Sequence, residues 1–225
     1  MLDIDVSVRS WQLRGLQLRL SVTSDIVLEP PRGCRVLLNP ANEALVGTKL
    51  PYFPMFEPPT ELLSNQWCGM EAGERMFYPM QVVDGRVHML GGLSLRKALE
   101  KLPEVAPDVR CPTGAAVITE ATESLGDVFQ HIVHAVPWGT QGLAVRLAAR
   151  LAVRPMYSSP CWEEDLTRSW RSALALAWPG PVAAVLMGAG ARGAPVPEAA
   201  RVAAKSIQEW SRTCPEGASS LYIFK

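Results

Sequence analysis

Between Val182 and Glu198 the chain reads Val-Ala-Ala-Val-Leu-Met-Gly-Ala-Gly-Ala-Arg-Gly-Ala-Pro-Val-Pro-Glu: a buried strand, three glycines within six residues, then a helix start. Gly188, Gly190 and Gly193 open conformations closed to other residues and let the backbone approach a ligand closely. The following helix would turn unpaired N–H groups and a partial positive charge toward the same space. That combination suits a phosphate. Glycine-rich strand-to-helix turns also occur for tight packing alone, so this segment constrains the fold before it constrains the function.

The rest of the chain repeats the strand-and-helix alternation, the pattern of an α/β layer fold. Leu16 to Val22 alternates apolar and polar residues, as a half-buried strand does. Arg35 to Asn39, Ala115 to Thr119, His131 to Val136 and Leu221 to Phe224 are further strands. Leu95 to Leu102 has helical spacing. Pro160 to Trp178 predicts an amphipathic helix with Leu166, Trp170, Ala173, Leu174 and Ala177 on one face. Pro197 to Arg212 predicts another, with Val202, Ala203, Ile207 and Trp210 inward.

Residues 48 to 90 break the alternation, being rich in Pro, Met and aromatic residues such as Tyr52, Phe53, Trp67 and Phe77. Asp84-Gly85 between two apolar runs predicts a two-residue hairpin turn. A long connection with its own hairpin reads as a flap or a ligand lid.

A chain of 225 residues fits one large domain. Its 22 basic and 22 acidic residues cancel, which argues against duplex nucleic acid as a partner. The five cysteines are scattered without a CxxC pair, so neither a zinc site nor a redox dithiol is expected. Cys111 has no identifiable partner base and reads as a packed thiol. His131 and His134, three apart on a strand, point to opposite faces and do not suggest a shared metal. No cofactor is called for. The absence of a long apolar run and of a signal-peptide pattern sets the expectation of an intracellular protein, cytoplasmic or nuclear, with no membrane association.

The loops after successive strands bring in Asn39-Pro-Ala-Asn42, Met89-Leu-Gly-Gly-Leu-Ser94, Cys111-Pro-Thr-Gly114 and the glycine loop 188–193. In an open α/β sheet, loops at the carboxyl ends of the strands converge on one crevice. In order and spacing this set resembles the macrodomain family, from about Leu16 to Phe224, with the segment at about 48–90 as an insert. The resemblance implies a single three-layer α/β/α domain with a mixed central sheet. It implies ADP-ribose, free or attached to protein, as the ligand. Asp25, followed by Ile26, would accept a hydrogen bond from the adenine amine. Asn39 opens the Asn-Pro-Ala-Asn loop and Asn42 would contact the distal ribose. Gly91, Gly92 and Leu93 match a first phosphate loop, and Gly188, Ala189, Gly190, Ala191, Arg192 and Gly193 a second.

The departures bear on activity. The hydrolytic branch of the family has an aspartate where this chain has Ser94, and serine lacks a carboxylate's capacity as a base. Glu71, Glu74 and Asp84 of the insert are alternative acids. Arg192 replaces an aromatic residue near the distal ribose. Three readings of function therefore stay open: a module that binds ADP-ribose or ADP-ribosylated protein, a hydrolase acting through Asn42 and Ser94 on ADP-ribosylated acceptors or O-acetyl-ADP-ribose, and a protein-interaction module with a decayed pocket. The sequence leaves the oligomeric state open.

Overall fold

Five strands lie parallel in the order β2-β7-β6-β3-β5, and an antiparallel strand closes each edge of the sheet, β1 beside β2 and β4 beside β5. The strands are β1 (Arg9–Leu13), β2 (Leu16–Ser21), β3 (Val36–Pro40), β4 (Ala116–Glu120), β5 (His131–Ala135), β6 (Val182–Val185) and β7 (Ser220–Phe224). These come from a computed structural model that describes residues 9–13, 16–21, 25–47, 82–138, 160–177, 181–190, 194–213 and 220–224. Among the described residues three α-helices cover the sheet: α1 (Val83–Glu100), α2 (Trp162–Leu176) and α3 (Val196–Ser211). The expected mixed sheet between helical layers is present. No helix among the described residues is long and apolar enough to cross a membrane.

The period-two alternation of the strands sorts side chains to two cores. Val36, Leu38, Val133, Ala135, Val182, Ala184 and Leu221 pack against Leu166, Trp170 and Leu174 of α2 and Val202 and Ile207 of α3. Leu37, Ile132 and Ala183 face the other way, onto Val87, Leu95 and Leu99 of α1. The expected helices at 160–178 and 197–212 form as α2 and α3, with the predicted inner residues Leu166, Trp170, Ala173 and Leu174 buried. Trp178 lies outside the described residues.

One expectation fails. Asp84-Gly85 is not a hairpin turn but the first turn of α1. Buried Val87, Gly91, Leu95 and Leu99 recur at helical spacing, and Asp84 places a negative charge at the helix start, where the macrodipole favours it. Packing of that apolar stripe onto β3 decides against the local turn signal. The helix breaks once, at Gly92, with φ 56° and ψ −150°. The segment expected as Leu95 to Leu102 is the half of α1 beyond that kink. Of the expected insert, residues 48–81 lie outside the described residues, and the part from Val83 onward belongs to the helical layer.

Candidate functional site

The parallel strands all end on one edge of the sheet, so the turns after β2, β3, β5 and β6 rise together there. Because β4 runs antiparallel, its first residue also belongs to that edge: Ala116 pairs with Ala135, the last residue of β5. The segment before β4 is fixed by Gly114 N–H to Val136 O (2.8 Å) and by the N–H groups of Arg110 and Cys111 to Glu43 O (2.9 and 3.0 Å). Thr113 Oγ1 adds a bond to Glu43 Oε1 at 2.7 Å. Five chain segments thus build one rim.

After β2, Asp25 starts a tight turn. Its Oδ1 accepts the N–H groups of Val27 (3.0 Å) and Leu28 (3.1 Å), while Oδ2 meets Arg86 Nη2 at 2.7 Å. The pair is partly exposed, Asp25 by 23% and Arg86 by 13%, so one edge of the carboxylate reaches solvent. Ile26 is buried in the α1-side core, so any ligand contact there would use its backbone. Arg86, from the first turns of α1, was not foreseen in the sequence, because sixty-one positions separate it from Asp25.

After β3, Asn39 is fully buried rather than open to the crevice. Its Nδ2 donates to Asp84 Oδ1 (2.8 Å) and lies 3.2 Å from His134 Nδ1. Asn42 organises its own loop: Nδ2 donates to Gly47 O (3.0 Å), and Oδ1 accepts Val46 N–H (3.3 Å). Asp84 is buried at the start of α1, with His88 Nε2 at 3.7 Å, four residues along. Both belong to a helical stripe that is otherwise apolar. That i, i+4 spacing of an acid and a histidine was the signal available in the sequence.

After β6, Gly188 has φ +86°, and a Cβ there would lie 2.7 Å from Trp138 Cζ3. Trp138 follows β5, is 1% exposed, and meets Trp162 edge-on at 5.8 Å between ring centroids. The loop thus rests on an indole that sequence reasoning missed. A Cβ on Gly190 would meet nothing within 4 Å among the described residues. Ala194 N–H closes the loop on Gly188 O at 3.0 Å. Ala191, Arg192 and Gly193 lie outside the described residues. The helix start behind the loop is less generous in donors than expected. Pro197 has no N–H, and Glu198 sets a carboxylate in the first turn.

The other expected phosphate loop is elsewhere. Thr122 Oγ1 donates to Gly91 O (2.9 Å) and Ser94 N–H donates to Glu123 Oε1 (3.0 Å). Thr122 and Glu123 follow β4, whose last residue, Glu120, pairs with His131 at the start of β5. Gly91, Gly92, Leu93 and Ser94 therefore lie at the amino-terminal edge of the parallel strands, about a strand length or 15 Å from the rim. The physical reason is the helical run from Val83, which rises about 1.5 Å per residue and so carries the chain away from the rim before the break at Gly92. There Glu123 acts as a cap: bonds from Ser94, and a backbone bond from Leu93, hold its carboxyl below the usual carboxylate range. Ser94 is thus a capped helix start and not a group of the crevice.

The remaining chemistry-bearing side chains are quiet. Burial and the neighbouring Glu43 push the Cys111 thiol up to about 12, and burial alone pushes Cys34 to about 12. His134 is held neutral, its pKa lowered to about 3 by burial and by His88. Among the described residues, no group of three or more His, Cys, Asp and Glu could hold a metal ion.

No family model matches the chain. It is 32% identical over 133 residues to a macro domain-containing protein of Xanthomonas campestris pv. campestris, across 58% of this chain and 65% of that protein. The match thus spans a little under two thirds of that relative. In three dimensions the chain is similar to the Oceanobacillus iheyensis macrodomain with ADP, with a TM-score of 0.63 and 20% identity over 98% of this chain and 90% of the other. A mutant of that macrodomain with ADPR gives a TM-score of 0.62 and 21% identity over 97% and 91% of the two chains.

Proposed function

Since the chain is a divergent relative with the macrodomain fold, we propose that its crevice binds ADP-ribose, free or as a modification on protein. The observation that carries this is the convergence on one rim of Asp25, Asn42 and the Gly188–Gly190 turn, where none of the described residues would meet a Cβ on Gly190. The same fold in Oceanobacillus holds ADP and ADPR.

Asp25 accepts from the adenine amine on the edge of its carboxylate that Arg86 leaves exposed, and the ion pair holds that edge still. The backbone of Gly188, Ala189 and Gly190, continued by Ala191, Arg192 and Gly193, takes the diphosphate, whose charge suits amide donors in fixed positions. Asn42 shapes the loop beside the distal ribose. Gly91, Gly92, Leu93 and Ser94 have no part in this site.

A second reading, hydrolysis of the ADP-ribosyl linkage or of O-acetyl-ADP-ribose, draws on Asp84 in place of Ser94. Asp84 is the carboxylate tied to Asn39 at the end of β3, and a base must lie within hydrogen-bond reach of the water it activates. Release of ADP-ribose from a modified acceptor protein separates the enzyme from the reader.

Isothermal titration calorimetry with ADP-ribose tests the binding reading. Heat is expected from the native chain and none from Asp25→Ala or Gly190→Glu. Retained affinity in both variants removes the pocket assignment. A silent native chain leaves the protein-interaction reading in possession.

A further inference from the structure

We infer that Asn39 is a positioning residue for the Asp84 carboxylate, that Asp84 and His134 together hold its amide in the one orientation able to do this, and that Thr119 accepts the remaining imidazole proton. The inference rests on the reading above only for what Asp84 is positioned toward.

The α1-side core contains a polar chain that burial alone would disfavour. Asn39 and His134 are 0% exposed, Asp84 1% and His88 2%, amid Leu37, Val87, Leu95 and Ile132. Buried polar groups persist where they are hydrogen-bonded to one another, and each broken link leaves a costly orphan. The links run Thr119 Oγ1 to His134 Nε2 (3.0 Å), His134 Nδ1 to Asn39 Nδ2 (3.2 Å), and Asn39 Nδ2 to Asp84 Oδ1 (2.8 Å). They cross from the edge strand β4 through β5 and β3 to the first turn of α1.

The two ends of an asparagine amide have nearly the same shape, so neighbouring charge decides which end faces where. Here the NH2 end faces two acceptors at once, a carboxylate and an imidazole nitrogen. Reversing the amide would set Oδ1 against the Asp84 carboxylate. It would also demand a proton on His134 Nδ1. A neutral imidazole carries one N–H. With Nδ1 accepting from Asn39, the proton lies on Nε2 and is donated to Thr119 Oγ1. The hydroxyl, able to donate or accept, takes the accepting role. Among the described residues Asn39 Oδ1 has no hydrogen-bond partner, so there the orientation of the amide comes from the Nδ2 side. The groups facing His134 are Asn39 on β3, Thr119 on β4 and His88 on α1, with Asp84 one link further. Each link fixes the next, and the last fixed atom is Asp84 Oδ1, at the crevice edge of the sheet.

The first arm of the test needs no ligand. Ring 15N shifts of His134 in the full chain should show the Nε2–H tautomer alone, unchanged from pH 5 to 8. Asp84→Leu removes the charge that selects the amide end, and both tautomers should then appear. A native His134 with its proton on Nδ1, or one that titrates between pH 5 and 8, overturns the inference. The second arm reads thermal stability beside release of ADP-ribose from a modified acceptor. Asn39→Leu should lower the melting temperature, and Asn39→Leu with Asp84→Leu should recover most of it, because no orphaned carboxylate remains. Release of ADP-ribose from a modified acceptor protein, the step in which Asp84 takes part, should fall at least tenfold in Asn39→Leu while ADP-ribose still binds. Native release by Asn39→Leu would make Asn39 a packing residue only. Should Asn39→Leu not fold, Thr119→Val, which breaks only the outermost link, must leave His134 in the Nε2–H tautomer that Asp84 and Asn39 set; a mixture of tautomers there would overturn the inference. A native chain that shows no heat with ADP-ribose removes the proposed ligand, while the tautomer arm still decides the inference.

Discussion

Gly188→Ala isolates the contact between the glycine loop and the indole beneath it. Two costs add. An alanine at φ +86° sits in the left-handed region, at about 1–2 kcal/mol. Its Cβ would lie 2.7 Å from Trp138 Cζ3 and 2.9 Å from Cη2, against a ring that is 1% exposed and already packed on Trp162. Forcing a methyl into such a site costs about 1–3 kcal/mol. The sum, about 2–5 kcal/mol, corresponds to roughly 4–20 °C in melting temperature for a chain of this size. Gly190→Ala is the matched control: its Cβ meets nothing within 4 Å among the described residues and its φ is not in the left-handed region, so a change within about 0.5 kcal/mol is expected. Urea unfolding of both variants, repeated in a Trp138→Leu background, separates the terms. The smaller side chain should relieve the steric part and leave the backbone part, a coupling of about 1 kcal/mol or more. Equal stability of Gly188→Ala and Gly190→Ala would refute the packing argument. A Gly188→Ala penalty unchanged by Trp138→Leu would assign the whole effect to backbone strain.

Two further measurements follow from the titrating groups. With its pKa near 12, Cys111 is a thiolate in about one molecule in ten thousand at pH 8. Native-state alkylation with peptide mapping should therefore label exposed Cys161 and spare Cys111 and Cys34; equal rates at Cys111 and Cys161 would contradict the packed-thiol assignment. Glu123 has a depressed pKa because Ser94 and Leu93 hold its ionised form. Its stabilisation is fully present above the unfolded value of about 4.5 and is lost as pH falls through the lower folded value. The melting-temperature gap between the native chain and Glu123→Gln should be open at pH 6 and close toward pH 3, and a gap independent of pH would mean that the cap contributes no charge-dependent stability.

Most of the sheet was legible because its strands announce themselves locally. Leu16–Ser21 alternates, and Val36–Pro40, His131–Ala135 and Val182–Val185 are short apolar runs beside turn residues. The two helices α2 and α3 were legible from one-sided apolar spacing. Arg9–Leu13 was not, since Arg-Ser-Trp-Gln-Leu buries almost nothing; its strand character comes from its pairing with β2. Asp84-Gly85 misled for the complementary reason. The dipeptide is a strong turn signal only when nothing distant competes, and here Asn39, forty-five positions earlier, and the packing of Val87 and Leu95 compete. In the site, Asp25 and Asn42 were legible only through the resemblance to the macrodomain family, since as residue types they read equally well as a solvated carboxylate and a cap. Their partners were not, because Arg86 and the Trp138 beneath Gly188 are brought in by topology.

Glycines led the sequence reading toward phosphate, and their surroundings separate what a glycine permits from what it is for. At Gly92 a Cβ would fall 1.9 Å from Glu123 Oε2, so the missing side chain makes room for the chain's own carboxylate. That anion already occupies the helix start that a phosphate would need. At Gly188 the missing side chain makes room for an indole. Both sites are filled from within, and a packing requirement accounts for each. At Gly190 none of the described residues fills the space, and a side chain there would displace no contact among them. The case for diphosphate binding therefore rests on Gly190 and the amides beside it. For the same reason, Gly190→Ala on stability and Gly190→Glu on ADP-ribose binding must give opposite results: the first nearly silent, the second abolishing.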